Sequence, residues 1–478
     1  MPVSDQHPEY SNSLMKWQLV EDACAGSDAI KSRGVSDGGG SITGTRYLPM
    51  PNPEDLSTEN RARYENYKLR ANFFNATGMT KTGMLGMVFR LPPVMELPPT
   101  IDYLQKSTDG GALTLEQLSK GVISDCLVTG RSGLLTDYPV APPGLTQAEI
   151  SRLNLRANIL RYPAQSVINW RTIKVGGTKK LSLVVLAEPT EKISEDGFSF
   201  ESVVYHRVLR LINGVYVQEL WDENDEIVDF GEGVTRLVPR KADGSIWKEI
   251  PFTFVGTADN DEKVDKAALY DIAEENVSHY RNSADYEESS FMVGQPTPFI
   301  TGLTQSWVDG VLDGKVTLGS RAAVMLPADA DMGLIQADAN QMPIKGMEHK
   351  EAQMVKLGAR LIEDRGGNET VVGVHVRFAG QNSVMSSIIG NVEDALNRSL
   401  AWALEFMGGT GDVSIKLNRK FHDADINPQE LMANIQLLDR GIIGKSDLRA
   451  RLRKVNIIEH DRTDESIDEE DETVDPLA

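Results

Sequence analysis

The sequence predicts an α+β protein on three observations. Apolar residues recur at helical spacing through much of the chain. Between residues 167 and 221 the period shortens to that of strands, and beyond residue 264 two long helical patterns enclose a short β-rich segment. With 478 residues, 40% hydrophobic and 25% charged, there is enough apolar material for a sizeable core divided among roughly two to four lobes.

The elements follow in order. Leu14 to Cys24 reads as a helix stopped by Gly26, and Ser36 to Ser41, with three consecutive glycines, as a loop. After Pro49, Pro51 and Pro53, a helical pattern puts Tyr64, Tyr67, Ala71 and Phe74 on one face. Two capping boxes, Thr114-x-x-Gln117 and Thr146-x-x-Glu149, announce two further helices, because each side chain satisfies a backbone N–H that has no partner inside the helix. Strands are expected at Val167–Thr172, Leu181–Ala187, Ser202–Ile212 and Val215–Trp221. Asn213-Gly214 joins the last two as a hairpin, since both residue types accept the positive φ of a type I′ turn.

From Asp265 to about Phe291 a narrow stripe of Ala268, Ile272, Ala273, Val277, Tyr280 and Ala284 predicts a helix of roughly 40 Å. Gly294-Gln-Pro-Thr-Pro298 breaks it, and short strands are expected at Phe299–Leu303, Val316–Arg321, Ala322–Leu326 and Leu334–Ala337. A second helix, Ile344 to Asp364, returns. Residues 365–383 read as a loop carrying a short strand at Val371–Phe378, followed by a long helix from Val384 to Met407 and a strand at Val413–Leu417. Asn427-Pro-Gln-Glu430 starts a helix to Arg440, a last helix spans Asp447–Lys454, and the chain beyond Glu459 reads as a disordered acidic tail.

The net charge is −21, from 49 basic and 70 acidic residues. Between Glu459 and Asp475 ten acids stand against Arg462 alone, so nine of those charges sit in the tail. An acidic body argues against a protein that grips nucleic acid over most of its surface. It suits a conduit along which DNA slides, although on charge alone solubility is the favoured explanation. No run approaches 18 apolar residues and Met1 to Tyr10 is polar, so no membrane span or secretory signal is expected. Cys24 and Cys126 match no C-x-x-C pattern and read as buried small apolar residues.

Patterns that would carry chemistry are weak. Gly444-Lys445-Ser446 resembles the end of a phosphate loop, but the leading glycine is replaced by Asp439, and Ser446 reads better as a helix cap. The histidines His7, His206, His279, His349, His375, His422 and His460 share no metal-ligand spacing. Gly130-Arg-Ser-Gly133 departs from the Gly-x-Ser-x-Gly order of a nucleophile elbow, and Gly130 reads as a helix stop. Glu274-Glu275 and Glu287-Glu288 read as the solvated face of the long helix. Arg449, Arg451, Arg453 and Lys454 are open to two readings, phosphate contact or neutralisation of the helix end and the acidic tail. No catalytic, metal or cofactor-binding residue is assigned, and no cofactor is expected.

Several segments together carry a resemblance. They are Tyr47-Leu-Pro49, Phe89-Arg-Leu-Pro-Pro93, Gly130-Arg-Ser-Gly-Leu-Leu-Thr-Asp-Tyr-Pro139, Ile168-Asn-Trp-Arg171, Gly294-Gln-Pro-Thr-Pro-Phe-Ile-Thr-Gly302 and Asn391-Val-Glu-Asp-Ala-Leu396. In wording, and in the order of elements, the chain from His7 to about Ile458 resembles the portal (head-tail connector) proteins of tailed double-stranded DNA bacteriophages. The resemblance implies a wing over residues 1–263, a first stem helix at 264–291, a small β-rich clip at 292–343 and a second stem helix at 344–364. A lumen (tunnel) loop at 365–383, a wing helix and strand at 384–425, a helical crown at 426–458 and the acidic tail at 459–478 complete it.

It further implies a homo-oligomeric ring, a dodecamer, at one capsid vertex of the virion, assembled in the host cytoplasm without membrane contact. Such a ring is a conduit for genome packaging and ejection. Its partners would be the major capsid protein, the packaging terminase that supplies the ATPase, the head-tail adaptor, and double-stranded DNA held without sequence specificity. Arg377, Gln381 and Asn382 are the lumen-loop residues expected nearest DNA phosphates; Arg377 reads equally as a salt-bridge partner between subunits. The alternatives are a phage-associated nuclease or protease with an unrecognised site, and a head-tail adaptor.

Overall fold

The computed structural model describes residues 2–36, 42–139, 152–193, 197–230, 233–295, 297–310, 326–336, 341–360, 384–419, 421, 432, 435–438, 440, 442–454 and 462–473. The chain divides into two units, Met1–Leu417 and Asn418–Ala478. Helices and antiparallel sheets occupy largely separate stretches of the first, an α+β arrangement.

The first unit opens with α1 (Pro8–Ala25), α2 (Ser27–Ser32) and the paired strands β1 (Gly34–Ser36) and β2 (Ile42–Thr45). The α1 helix starts six residues before the expected Leu14. His7 caps it, Nδ1 accepting the Glu9 N–H at 3.2 Å, and Pro8 fits the first helical position. It ends at Gly26 as expected. Next come α3 (Thr58–Arg70) and α4 (Ala76–Val88). Tyr64 and Tyr67 are buried on α3, but the helix stops before Phe74, which is 47% exposed. Asn75 accepts the Gly78 N–H and caps α4, so the chain turns there.

After β3 (Val94–Glu96), α5 (Leu115–Thr129) carries both hydrogen bonds of the Thr114/Gln117 capping box and ends at Gly130, φ +75°. The second expected box, at Thr146 and Glu149, lies outside the described residues.

Strands β4 (Arg131–Asp137) and β5 (Asn158–Pro163) follow and pair with β11 (Phe252–Gly256) in the order β11-β4-β5. None of the three was anticipated. From Arg131 to Thr136 every residue of β4 is buried, so the strand shows no alternation of apolar and polar residues. The expected meander is present as β6 (Val167–Val175), β7 (Thr178–Ile193), β8 (Phe200–Ile212), β9 (Val215–Trp221) and β10 (Ile227–Val228), ordered β10-β9-β8-β7-β6. Asn213 and Gly214 take φ of +50° and +78°, as the type I′ turn requires.

The remaining elements of the first unit are α6 (Tyr270–Gly294), β12 (Thr297–Thr301), α7 (Gln305–Gly310), β13 (Asp331–Ile335), α8 (Met342–Arg360), α9 (Val384–Met407) and β14 (Ser414–Lys416), which pairs with β3. The strands expected at Val316–Arg321 and Val371–Phe378, most of Ala322–Leu326, and the loop at 365–383 lie outside the described residues. Helices α5 and α9 pack on the three-stranded sheet. There Leu118, Val122, Leu127, Leu134, Ile388 and Leu396 are fully buried, each contributing roughly 1.5–3 kcal/mol.

The second unit contains α10 (Lys445–Lys454) and α11 (Asp464–Thr473). Gly444, not Ser446, caps α10, and the Asp447 carboxylate accepts the Gly444 N–H at 2.9 Å. The tail expected to be disordered is helical over Asp464–Thr473. Thr463 Oγ1 accepts the Ser466 N–H, and Asp464 and Glu465 lie at the positive end of the helix dipole.

Candidate functional site

The features that set this chain apart are α6, α8 and the β12/β13 pair between them. The core fixes where α6 begins, because Leu269 N–H donates to Leu127 O at the end of α5, 3.0 Å away. Its stripe of Ile272, Ala273, Val277, Tyr280 and Ala284 is buried. Asn276, also fully buried, accepts from Thr77 N–H (3.1 Å) and Thr77 Oγ1 (2.9 Å) and donates to Phe74 O (2.7 Å), so a polar side chain in the core has its hydrogen bonds met. Ser283 Oγ accepts the Asn72 N–H at 3.0 Å, Tyr67 OH donates to Asp285 at 2.7 Å, and Arg70 pairs with Glu288.

Beyond Ala284 the helix leaves the core. No described residue from Asp285 to Gln353 is buried. Helix α8 runs antiparallel to α6: Lys350 Nζ donates to Ser278 O (3.2 Å), His279 Nε2 lies 3.1 Å from Glu351 Oε1, and Gly346 faces Asn282. A Cβ on Gly346 would lie 2.5 Å from Asn282 Nδ2, so a larger residue there would displace the Asn282 side chain. At the far end Thr297 to Thr301 pair with Ile335 to Asp331, and Gln336 Nε2 donates to Val293 O at 3.3 Å. Phe291, Met292, Phe299, Met332, Leu334, Ile335 and Met342 are all exposed along this stretch.

Two open clefts among the described residues are lined by titratable groups. One, of about 430 Å³, sets Asp271, Glu274 and Glu275 of α6 against His349, Gln353 and Lys356 of α8. The other, of about 270 Å³, is lined by Glu21, Cys24, Lys81, Asp125 and Gln165. Burial pushes Asp125 up, against the pull of Arg161, which reaches its two carboxylate oxygens at 2.8 and 2.9 Å, and of Ser132 Oγ at 2.7 Å. Burial pushes the Cys24 thiol up to about 11, which keeps it protonated and unreactive at neutral pH. Cys126 is fully buried whereas Cys24 is only half-buried.

The other sequence candidates are dispersed. Arg377, Gln381 and Asn382 lie outside the described residues, as do His375, His422 and His460. His7 stacks on Trp170 at 3.9 Å, His279 faces Glu351, and His206 is buried. Among the described residues no three His, Cys, Asp or Glu side chains group as metal ligands. Of the paired acids, Glu274 and Glu275 line the first cleft, and Glu288 pairs with Arg70 and Arg63 instead of facing solvent alone. Arg449 bonds Asp468 at 2.5 Å and holds that carboxyl below its usual range, which supports local neutralisation of the acidic segment.

Two polar clusters escaped the sequence reading. Arg131 is 1% exposed, its guanidinium 3.9 Å from the Trp170 ring and 3.7 Å from that of Phe254. Arg207 bonds Glu188 (2.7 Å), Asp137 (3.2 Å) and Gln218 (3.2 Å), and Gln218 Nε2 donates to Asp137 at 2.8 Å. The signal for both was present in the segments quoted above, since Arg131, Asp137 and Trp170 belong to two of them. Asn391, in a third, donates to Gly256 O at 2.9 Å, and Glu393 accepts the Leu417 N–H at 2.7 Å. These segments brace the fold through buried and half-buried polar contacts.

Residues 268–407 match the family model described as DUF4055, a domain of unknown function. No curated protein matches the chain. Among solved structures it is similar to a chain of the virion of a native gene transfer agent particle, with TM-score 0.39 and 13% identity, covering 79% of this chain and 89% of that one. It is also similar to a chain of the neck of an empty particle of this kind computed with C6 symmetry, with TM-score 0.41, 13% identity and the same coverage. Neither score is high enough to demonstrate a shared fold.

Proposed function

We propose that this chain is the portal subunit of a tailed double-stranded DNA bacteriophage, forming a ring, a dodecamer, at one capsid vertex. The observation that carries the reading is the projecting α6/α8 pair, which bears the β12/β13 strands and has no core of its own. A two-stranded sheet with exposed apolar side chains is marginal alone in water, and neighbouring copies around a ring would cover it. The resemblance of the quoted segments to phage portal proteins points the same way.

In this reading α6 and α8 are the stem, and residues 292–343 are the clip that docks the packaging terminase and later the head-tail adaptor. Residues 365–383 are the lumen loop, with Arg377, Gln381 and Asn382 near DNA phosphates and indifferent to sequence. The work is mechanical: the terminase supplies energy, and the acidic surface keeps passing DNA from adhering. The acidic C-terminal segment pairs with basic capsid surfaces inside the head.

The test is the mass of the purified, nuclease-treated chain by native mass spectrometry, with negative-stain imaging. Closed rings with a central hole, near twelve times 52.6 kDa, are expected. A chain that stays monomeric or dimeric at high concentration overturns the reading and puts a phage-associated enzyme first.

A further inference from the structure

The meander of the first unit is longer on one side than its neighbours allow. Pairing of β7 with β6 stops at Leu186, and pairing of β8 with β9 stops at His206. Yet β7 and β8 continue paired to Ile193 and Phe200. Residues 188–193 and 200–205 therefore form a two-stranded arm of about 20 Å that pairs with no further strand on either edge among the described residues. Ile193, Phe198 and Phe200, at or beside its tip, are 71%, 95% and 65% exposed.

The surroundings of the arm are acidic. Glu191 and Glu201 lie on it, and the turn with Asp222, Glu223, Asp225 and Glu226 runs beside its base, where Val204 N–H donates to Glu223 at 2.9 Å. Lys192 is the one base in these two segments. At the opposite end of β7, the β6/β7 hairpin reverses the sign of the charge. Arg171, Lys174, Lys179 and Lys180 lie within ten residues that contain no acid. Of these, Lys179 pairs with Glu262 and Lys180 reaches Lys248 O at 3.3 Å. Ile173 and Val175 are exposed on the same hairpin.

We infer that the arm of one copy seats on the 171–180 hairpin of the next copy of this chain. Each copy then carries an acidic apolar surface at one end of its longest strand and a basic apolar surface at the other. Such a contact is heterologous and propagates head to tail; it closes into a ring when the rotation between copies closes, and for that closure the inference rests on the ring reading above. Opposite charges set the register and speed the encounter, while the exposed Ile, Phe and Val side chains supply the area removed from water.

Within one chain Lys174 and Glu191 are about 40 Å apart, twelve strand residues along β7 from Lys179, the partner of Lys174. A carbodiimide, which joins carboxylate to amine without a spacer, can link them only between copies. Treating the assembled full-length chain should yield linked peptides that join Lys174 or Lys180 to Glu191, Glu201 or Glu223, found in the oligomer and absent from the monomer. E191K/E201K should weaken association at least about tenfold, and adding K174E/K180E in the same chain should restore it. All four positions lie on exposed or half-buried strand surface, and circular dichroism checks that each variant is folded. Rings that form normally in E191K/E201K, together with no such cross-links in the unmodified oligomer, overturn the arm contact and leave the ring reading standing. An unmodified chain that never associates overturns both.

Discussion

At Arg131 a charged group is held inside the first unit by two aromatic faces instead of a carboxylate. Burial pushes its pKa down to about 9, and Glu9, Asp261 and Asp265 pull the other way, so it is charged at neutral pH. The guanidinium carbon lies within cation–π distance of both rings, which are themselves packed edge to face. Asp137 makes a different case, because its carboxylate is both desolvated and paired. Burial raises its pKa above the usual 3.8, and Arg207 and Gln218 only partly offset this. Between pH 3.8 and that raised value the folded chain binds this proton more tightly than the unfolded chain does. The stability contributed by that proton is present below pH 3.8 and is lost as pH rises through the elevated folded value. Asp137→Asn removes the titration. Urea denaturation at pH 4.5 and pH 7 should show the native chain losing stability relative to the variant as pH rises.

Elements are placed by few residues, and Gly130 does the most with the least. It ends α5 at φ +75°, turns the chain directly into β4, and lets the approach to α6 pass so close that a Cβ would lie 2.4 Å from Asp265 O. Gly130→Ala combines the cost of a left-handed backbone with a clash against main chain. It should destabilise the fold by at least about 2 kcal/mol, read as a lower urea midpoint with the cooperativity retained. Termini of this kind were legible in the sequence wherever a cap is local: the Thr114/Gln117 box, the Gly26 and Gly130 stops and the Asn213-Gly214 turn all stand where they were expected. The start of α1 was not legible, because His7 is an unusual cap and is held partly by stacking on Trp170, far away in sequence.

For the whole molecule, the division between a packed body and a projection without a core has a thermodynamic consequence. No described residue from Asp285 to Gln353 is buried, so that stretch adds little to the cooperative unit. Replacing residues 295–341 by a short glycine–serine linker should leave the thermal midpoint of the body within about 3 °C. The same change should abolish rings, measured by light scattering. A midpoint that falls much further would mean that the β12/β13 module supports the body.

The sequence by itself determined the period of the meander and of the long helices, several local stops and the order in which these alternate. Those follow from side-chain spacing and φ preference, which act over a few residues. It also determined that two long helices enclose a β segment, which is the basis of the portal reading. Only the tertiary structure decided which strands are buried on both faces, as β4 is, because complete burial erases the alternation that marks a strand. The tertiary structure likewise decided that Arg131 lies between Trp170 and Phe254, and that β7 and β8 outrun their neighbours. The first depends on contacts between segments tens of residues apart and the second on where β6 and β9 stop pairing, and no local pattern encodes either.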